Sequence, residues 1–279
     1  MHIVCCAKQV PDTAQVKINP ETNTLIRSGV ESICNPYDLV AVEAAVQLVG
    51  KYGGKVTVIS MGPPQAEAAL RDCLALGASE ATRLSDQAFA GSDTLATSYT
   101  LARTIAKISS LEPVDLVICG KQAIDGDTAQ TGPGIATRLG YNQFTYVAEI
   151  IDVDTNKRTI KVRREAEQGS EIIEGSLPAL LTVELELATP GYASLPNLVR
   201  ALRQEVKVWG AADIEGAPEH LGLKGSPTSV KEIFAPPIRK GGVVFDGSGT
   251  VAQATTDFLN TLFTKEPRLM DELLSDNKG

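Results

Sequence analysis

Histidine is nearly absent from this chain of 279 residues: His2 and His220 are its only two, and almost the whole sequence separates them. That scarcity argues against a zinc centre and against a nucleophilic triad built on imidazole. The five cysteines, at 5, 6, 34, 73 and 119, are odd in number and contain no C-x-x-C pair. This spacing fits neither a disulfide framework nor a zinc ribbon, and it reads as reduced core thiols in a cytoplasmic protein. No apolar run approaches the ~20 residues of a membrane span, so membrane insertion is not expected. The opening Met1-His2-Ile3-Val4-Cys5-Cys6-Ala7-Lys8 lacks the basic region and the long apolar run of a signal peptide. Positive charge is in deficit, with 26 Lys and Arg against 34 Asp and Glu and a net charge of −8. A broad nucleic-acid or anionic-membrane surface needs the opposite balance.

What remains is an ordinary globular composition, 43% hydrophobic and 22% charged. A chain of this length buries roughly 73% of its unfolded surface, enough for a large core. The first half alternates strand and helix patterns. Residues 2 to 7 form an apolar run that Pro11 prevents from continuing as a central strand. Asn35-Pro36-Tyr37-Asp38 then supplies an N-cap, a proline at N1 and an acid at N3, and a helix follows as far as Gly53-Gly54. Strands are predicted at 55–60, 82–84 and 114–119, with helices over 65–76 and 94–109 between them. Such alternation implies βαβ units and a mostly parallel sheet with helices on both faces.

Near residue 143 the period changes to two. Segments 144–150 and 159–162 flank Asp154-Thr155-Asn156-Lys157 as a β-hairpin, and Ala179 to Leu187 reads as one more strand. The expectation is an α/β domain over 1–190 with an antiparallel extension, followed by an irregular and helical C-terminal arm over 191–279. The arm ends in two amphipathic segments, the first carrying Val251, Ala254, Phe258 and Leu262. Gly247-Ser248-Gly249-Thr250-Val251-Ala252 matches a dinucleotide fingerprint by letters alone, because no second strand pattern follows it.

In open parallel sheets ligands bind beyond the carboxyl ends of the strands. Those segments here contain Cys6, Ala7, Met61 and the run Gly120-Lys121-Gln122-Ala123-Ile124-Asp125-Gly126-Asp127-Thr128-Ala129-Gln130-Thr131-Gly132. Asp127 and Gln130 stand at capping-box spacing. The small residues Gly126, Ala129, Gly132 and Gly134 would let a ligand approach the backbone, and the free N–H groups of a helix start attract phosphate. Two readings stand: a phosphate cradle, or an ordinary strand-to-helix turn. In Gly91-Ser92-Asp93-Thr94-Leu95-Ala96-Thr97-Ser98, Ser92 or Asp93 can cap a helix, with Thr94 and Thr97 on its first exposed turn. Arg158, Lys161, Arg163 and Arg164 read as a solvated hairpin face. Arg200, Arg203 and Lys207, at helical spacing, suit an acidic partner or a solvated face equally.

Taken together, these loops resemble the beta subunit of electron-transfer flavoproteins over nearly the whole chain. The resemblance is carried by Cys6-Ala7-Lys8-Gln9-Val10-Pro11-Asp12-Thr13, by Asn35-Pro36-Tyr37-Asp38, by Gly120-Lys121-Gln122-Ala123-Ile124-Asp125 and by Tyr192-Ala193-Ser194-Leu195-Pro196-Asn197. Arg164, Glu167, Gly169, Glu171 and Pro178 also fall in register with the family signature. Gln168 and Gly191 depart from it, the latter standing where an arginine often precedes the docking tyrosine.

The resemblance implies an adenine-nucleotide α-hydrolase-like fold, paired with an alpha subunit that carries one FAD. It implies a nucleotide held by Cys6, Ala7, Asn35 to Asp38, Met61, Asp93, Thr94, Thr97 and the stretch 120–131. Tyr192, Leu195, Pro196 and Asn197 would dock an acyl-CoA-type or related dehydrogenase. Asp125-Gly126-Asp127-Thr128-Ala129-Gln130 and the 91–98 segment resemble the electron-bifurcating group. There the nucleotide is a second FAD that accepts hydride from NADH and also serves ferredoxin or flavodoxin. The alternatives are a non-bifurcating carrier holding AMP and, more remotely, a stand-alone nucleotide sensor or ATP-pyrophosphatase-type enzyme of the same fold.

Overall fold

The computed structural model describes residues 1–12, 17–18, 25–26, 31–229 and 242–269. The chain divides into two units, Met1–Ile233 and Phe234–Gly279. In chain order the first unit contains β1 (His2–Cys6), β2 (Gln9–Pro11), β3 (Lys17–Ile18), β4 (Leu25–Ile26), β5 (Ser32–Cys34), α1 (Pro36–Tyr52), β6 (Lys55–Met61), α2 (Glu67–Leu76) and β7 (Glu80–Leu84). It continues through α3 (Thr94–Leu111), β8 (Leu116–Gly120), α4 (Thr131–Leu139), β9 (Asn142–Asp154), β10 (Thr159–Ala166), β11 (Gly169–Ser176), β12 (Ala179–Val183), α5 (Leu195–Arg203) and β13 (Lys207–Trp209).

Nine of these strands form one sheet in the order β11-β10-β9-β12-β8-β1-β6-β7-β13. The predicted α/β architecture is therefore present. Strand β1 is paired in parallel with β6 on one side and β8 on the other. The direction of strand succession reverses between β1 and β8, which creates a crevice at their carboxyl ends.

Side chains along the central strands alternate between two cores, as the two-residue period demands. Ile3, Cys5, Leu116, Ile118 and Leu181 join the cluster under α1 and α2. Val4, Val117, Cys119 and Leu180 join the cluster under α3 and α4. Burying each large aliphatic side chain contributes about 1.5–3 kcal/mol, so near-continuous apolar runs such as 116–119 commit those strands to the middle of the sheet.

The second half differs from its expectation in two respects. The strand expected over Ala179 to Leu187 ends at Val183, and a 3-10 turn occupies Leu185–Leu187. It also runs parallel to both neighbours, β8 and β9, so antiparallel pairing in this sheet is confined to β9, β10 and the unpredicted β11. The Asp154 turn is built as expected, its Oδ1 accepting from Asn156 N at 3.0 Å and Lys157 N at 2.9 Å. On the hairpin Arg163 pairs with Glu149 and Glu165, and Arg164 with Glu171.

Past residue 190 the chain continues across this unit. Strand β13 pairs in parallel with β7 at the sheet edge. Helix α5 is clamped to α2 by two arginines acting reciprocally: Arg200 donates to Leu74 O and Ala78 O at 2.9 and 3.1 Å, and Arg71 donates to the carbonyls of Ala201 and Gln204. Arg200 thus satisfies carbonyls at the C-terminal end of α2, a role that neither of its two sequence readings included.

In the second unit α6 (Val251–Lys265) follows an irregular segment, 242–249, so the letter-match fingerprint also lacks a strand before its glycines. The ring of Phe245 meets Phe258 edge-on, centroids 5.7 Å apart. The second amphipathic segment expected there lies largely outside the described residues, as does Thr13 of the first family-like block.

Candidate functional site

At the carboxyl ends of β1, β6 and β8 lies a cleft of about 910 Å³. That volume is near the upper end of the ~300–1,000 Å³ range of small-molecule sites. Its wall is made by Cys6 ending β1 with Ala7 and Lys8 after it, Met61 ending β6, the first turn of α3, and the long β8–α4 loop. Of the sequence-predicted residues, Cys6, Ala7, Asn35, Asp38, Met61, Asp93, Thr94, Thr97, Gly120, Lys121, Gln122, Ala123, Asp125, Gly126, Asp127, Thr128, Ala129, Gln130 and Thr131 all border it. Pro36, Tyr37 and Ile124 do not. Tyr192, Leu195, Pro196 and Asn197 lie elsewhere, at the start of α5, with Tyr192 and Leu195 largely exposed.

Lys8, Ser92 and Ser98, from segments the sequence reading singled out, border the cleft as well, and so do Arg138, Pro227 and Thr228, to which it assigns no place in the site. Thr228 could not be found by pattern, because it is brought there by Asp93. The Asp93 carboxylate caps α3 through Leu95 N and Ala96 N, and its Oδ2 accepts from Thr228 N at 3.1 Å and Thr228 Oγ1 at 2.8 Å. Burial opposes its ionisation, but these N–H and O–H donors outweigh burial and hold its pKa below the usual carboxylate value.

The β8–α4 loop is strained. Asp127 and Ala129 have φ of 50° and 52°, a left-handed conformation that costs a residue with a side chain about 1 kcal/mol. Asp127 is not the helix cap its spacing suggested: its Oδ1 accepts from Gln122 Nε2 at 2.8 Å, and Gln130 is the N-cap, with no side-chain capping bond. The first N–H groups of α4, from Thr131 and Gly132, are therefore left uncapped by side chains beside the cleft, the arrangement that suits an anion. Gly132 and Gly134 border the cleft, and packing against the protein already requires them to lack a side chain. A Cβ on Gly132 would run into Thr182 Cγ2, and one on Gly134 would lie 2.7 Å from Ser98 Oγ, so these glycines let α4 pack on β12 and α3. Gly126 does face open space.

The two lysines of the cleft are paired. Lys8 Nζ meets Asp125 at 2.7 Å and Lys121 Nζ meets Glu184 at 2.9 Å, the latter carboxylate raising the lysine pKa. Arg138 instead donates to Gly134 O at 3.1 Å and Leu95 O at 3.3 Å, and among the described residues it has no carboxylate partner. Thr94 Oγ1 donates to Gln130 Oε1 at 3.1 Å, bridging the starts of α3 and α4. The wall therefore offers backbone N–H groups, hydroxyls, small residues and, beside the two paired lysines, one cation without a carboxylate partner among the described residues. Among the described residues, no group of three or more His, Cys, Asp or Glu is placed to hold a metal. Among them, too, no helix is long and apolar enough to cross a membrane. His2, rather than lining the cleft, is buried against Thr57 Oγ1 at 3.0 Å.

The electron transfer flavoprotein domain family matches residues 22–214. Protein FixA of Azotobacter vinelandii is 51% identical over 277 residues, 98% of this chain and 98% of its own length. Electron transfer flavoprotein subunit beta of Clostridium acetobutylicum is 52% identical over 246 residues, covering 88% of this chain and 92% of that one. Caffeyl-CoA reductase-Etf complex subunit CarD of Acetobacterium woodii is 48% identical over 266 residues, 95% and 99% of the two chains. A parallel sheet with its cleft at the switch point, the loops that border it and these full-length similarities agree: the chain belongs to the electron transfer flavoprotein family, in its beta-subunit branch.

Proposed function

We propose that this chain is the beta subunit of a heterodimeric, electron-bifurcating electron-transfer flavoprotein of the cytoplasm, and that its cleft holds FAD. The observation that carries the reading is the size and chemistry of that cleft: about 910 Å³, open at Gly126, with an uncapped helix start and hydroxyls along one wall. An adenine mononucleotide needs only part of such a volume, whereas FAD adds a second phosphate, a ribityl chain and a flavin ring. The similarity to CarD, a subunit of a caffeyl-CoA reductase-Etf complex, supports the same reading.

On this reading the protein contributes binding, orientation and electrostatics. The N–H groups of Thr131 and Gly132, together with the guanidinium of Arg138, would hold phosphate oxygens. Thr94 and Thr97 would line the path of the extension, and Gly126 would leave it room. Bound there, FAD would supply hydride acceptance from NADH and delivery of single electrons to two acceptors. Among the described residues, the cleft holds no histidine, and Asp38, the carboxyl there that burial raises towards neutrality, is engaged by the Lys8 and Gly120 N–H groups. One acceptor is the FAD of an alpha subunit, which in turn serves an acyl-CoA-type or related dehydrogenase. The other is ferredoxin or flavodoxin. The exposed apolar residues Tyr192, just before α5, and Leu195, Leu198 and Leu202, along that helix capped by Ser194, are the natural docking surface for the dehydrogenase.

Nucleotide inventory of the heterodimer, co-purified with its cognate alpha subunit, tests the assignment. Two FAD for each heterodimer are expected after mild desalting. One FAD with one AMP would replace this reading by that of a non-bifurcating carrier.

A further inference from the structure

In the Asn35-Pro36-Tyr37-Asp38 turn, the side chains of Asn35 and Asp38 are engaged by the protein's own backbone at the border of the cleft. Asn35 is 1% and Asp38 7% exposed, and their side chains make four hydrogen bonds to backbone groups of the two segments that border the cleft. Asn35 Nδ2 donates to Gln122 O at 2.9 Å, and Asn35 Oδ1 accepts from Ile124 N at 3.3 Å. Asp38 Oδ2 accepts from Lys8 N at 2.8 Å, and Asp38 Oδ1 accepts from Gly120 N at 3.2 Å. A fifth tie runs from Asn35 N to Lys8 O at 2.9 Å. The segment after β1 is thus buckled to the segment after β8 through the first turn of α1. Outside the buckle, Lys8 Nζ closes the ring on Asp125.

We propose that Asn35 and Asp38 are positioning residues that set the spacing of the two cleft-bordering loops, and that nucleotide retention depends on Asp38 being ionised. The proposal rests on the cleft being the nucleotide site. Its chemistry is a matter of lone pairs. A carboxylate presents acceptors on both oxygens, so it serves Lys8 N and Gly120 N together. A protonated carboxyl turns one oxygen into a donor, which then confronts an N–H, and one of the two bonds is lost.

Burial pushes the Asp38 pKa up to about 7, against the opposing pull of the Lys8 and Gly120 N–H groups, the Asn35 side chain and the Lys8 ammonium. The other titratable groups around it are the thiols of Cys5 and Cys6 on β1 and of Cys34 on β5. Cys5 is pushed up by burial, Cys6 by its Cys119 neighbour and burial, and Cys34 by Cys73 and burial, so all three stay neutral. Lys8 is therefore the charged group in play, and the adjacent Asp125 shares it.

Two opposite pH trends follow, and they separate positioning from mere structural support. A folded-state pKa raised above the unfolded value means that the fold binds a proton. The stability from this group is present in full below the unfolded pKa and is lost as pH rises through about 7. Nucleotide retention runs the other way and is lost as pH falls through the same range. A residue that only supported the fold would give retention that followed stability.

The test uses the heterodimer with its cognate alpha subunit, as wild type and as Asp38→Asn, desalted at about pH 6 and about pH 8. FAD and AMP retained by each sample are then counted chromatographically. Wild-type retention should weaken roughly tenfold towards the lower pH. Asp38→Asn, which keeps one acceptor and gains a donor, should be flat and weak at both. Wild-type retention that does not change with pH overturns the proposal, and the wild-type profile decides this even if the variant fails to fold. Parity of Asp38→Asn with wild type at the higher pH also overturns it. Absence of a beta-site nucleotide from every sample would instead remove the underlying reading of the cleft, and the proposal with it.

Discussion

Replacing Gly120 by alanine should destabilise the chain by about 1–3 kcal/mol and empty the cleft in the same step. A Cβ at this position would collide with Asp38 Oδ1 and would lie 2.6 Å from Tyr37 Cβ and 2.8 Å from Tyr37 C. None of those atoms can swing aside. Tyr37 belongs to the first turn of α1, and Asp38 is fixed by its bonds to Lys8 N and Gly120 N. Relief requires moving β8 away from α1, which disturbs a layer containing Leu116 and Ile118, both fully buried. Denaturant midpoints of the purified heterodimer provide the check. An unchanged midpoint with full nucleotide content would contradict the buckle geometry.

The second large effect is expected further along the same loop, and it is of a different kind. At Gly126 nothing lies within 4 Å of the place a Cβ would take, so a leucine there meets solvent and cleft rather than packed protein. Gly126→Leu should leave stability within about 0.5 kcal/mol of wild type, as exposed sites usually do. Its side chain should nevertheless occupy the ground that the flavin end of FAD needs. The beta-site FAD should therefore be lost while the alpha-subunit FAD stays. Full FAD occupancy in this variant would refute the placement of the nucleotide. The two glycines separate what the loop sequence alone runs together: Gly120 is required by protein packing, whereas Gly126 is required only by the proposed ligand.

The sheet is legible in the sequence because the signals are strong where burial is double-sided. Runs such as Val56 to Ile59 and Leu116 to Cys119 are almost wholly apolar, and the helices between strands carry glycine stops at Gly53 and Gly77. Strand direction is less readable: β12 looks the same to a periodicity argument whether it runs parallel or antiparallel, and only its pairing with β8 and β9 decides. Strand β11 escapes such reading because Gly169, Ser170 and Gly175 dilute its pattern, and most of it is exposed.

In the site, position along strand ends is enough to gather most of the wall. What each side chain does there is not readable from pattern. Asn35 carries every mark of a helix cap and makes no side-chain capping bond, its amide reaching instead to Gln122 and Ile124. Asp127 has capping spacing, yet a left-handed backbone directs it to Gln122. Thr228 arrives from an irregular segment more than a hundred residues away, held by a carboxylate whose spare acceptor no local pattern reveals. Contacts of that range are set by tertiary packing, which overrides local preference.

Presentation of a flavin to NADH by the cleft of this chain is open to one direct anaerobic titration. NADH is added to the heterodimer with its cognate alpha subunit, in the absence of dehydrogenase and ferredoxin, and flavin absorbance is followed. Bleaching of flavin is expected in wild type, and its loss in Gly126→Leu, which keeps only the alpha-subunit FAD. Flavin absorbance unmoved by NADH in the wild-type complex, or bleached equally in both proteins, would contradict a flavin-bearing, NADH-facing cleft.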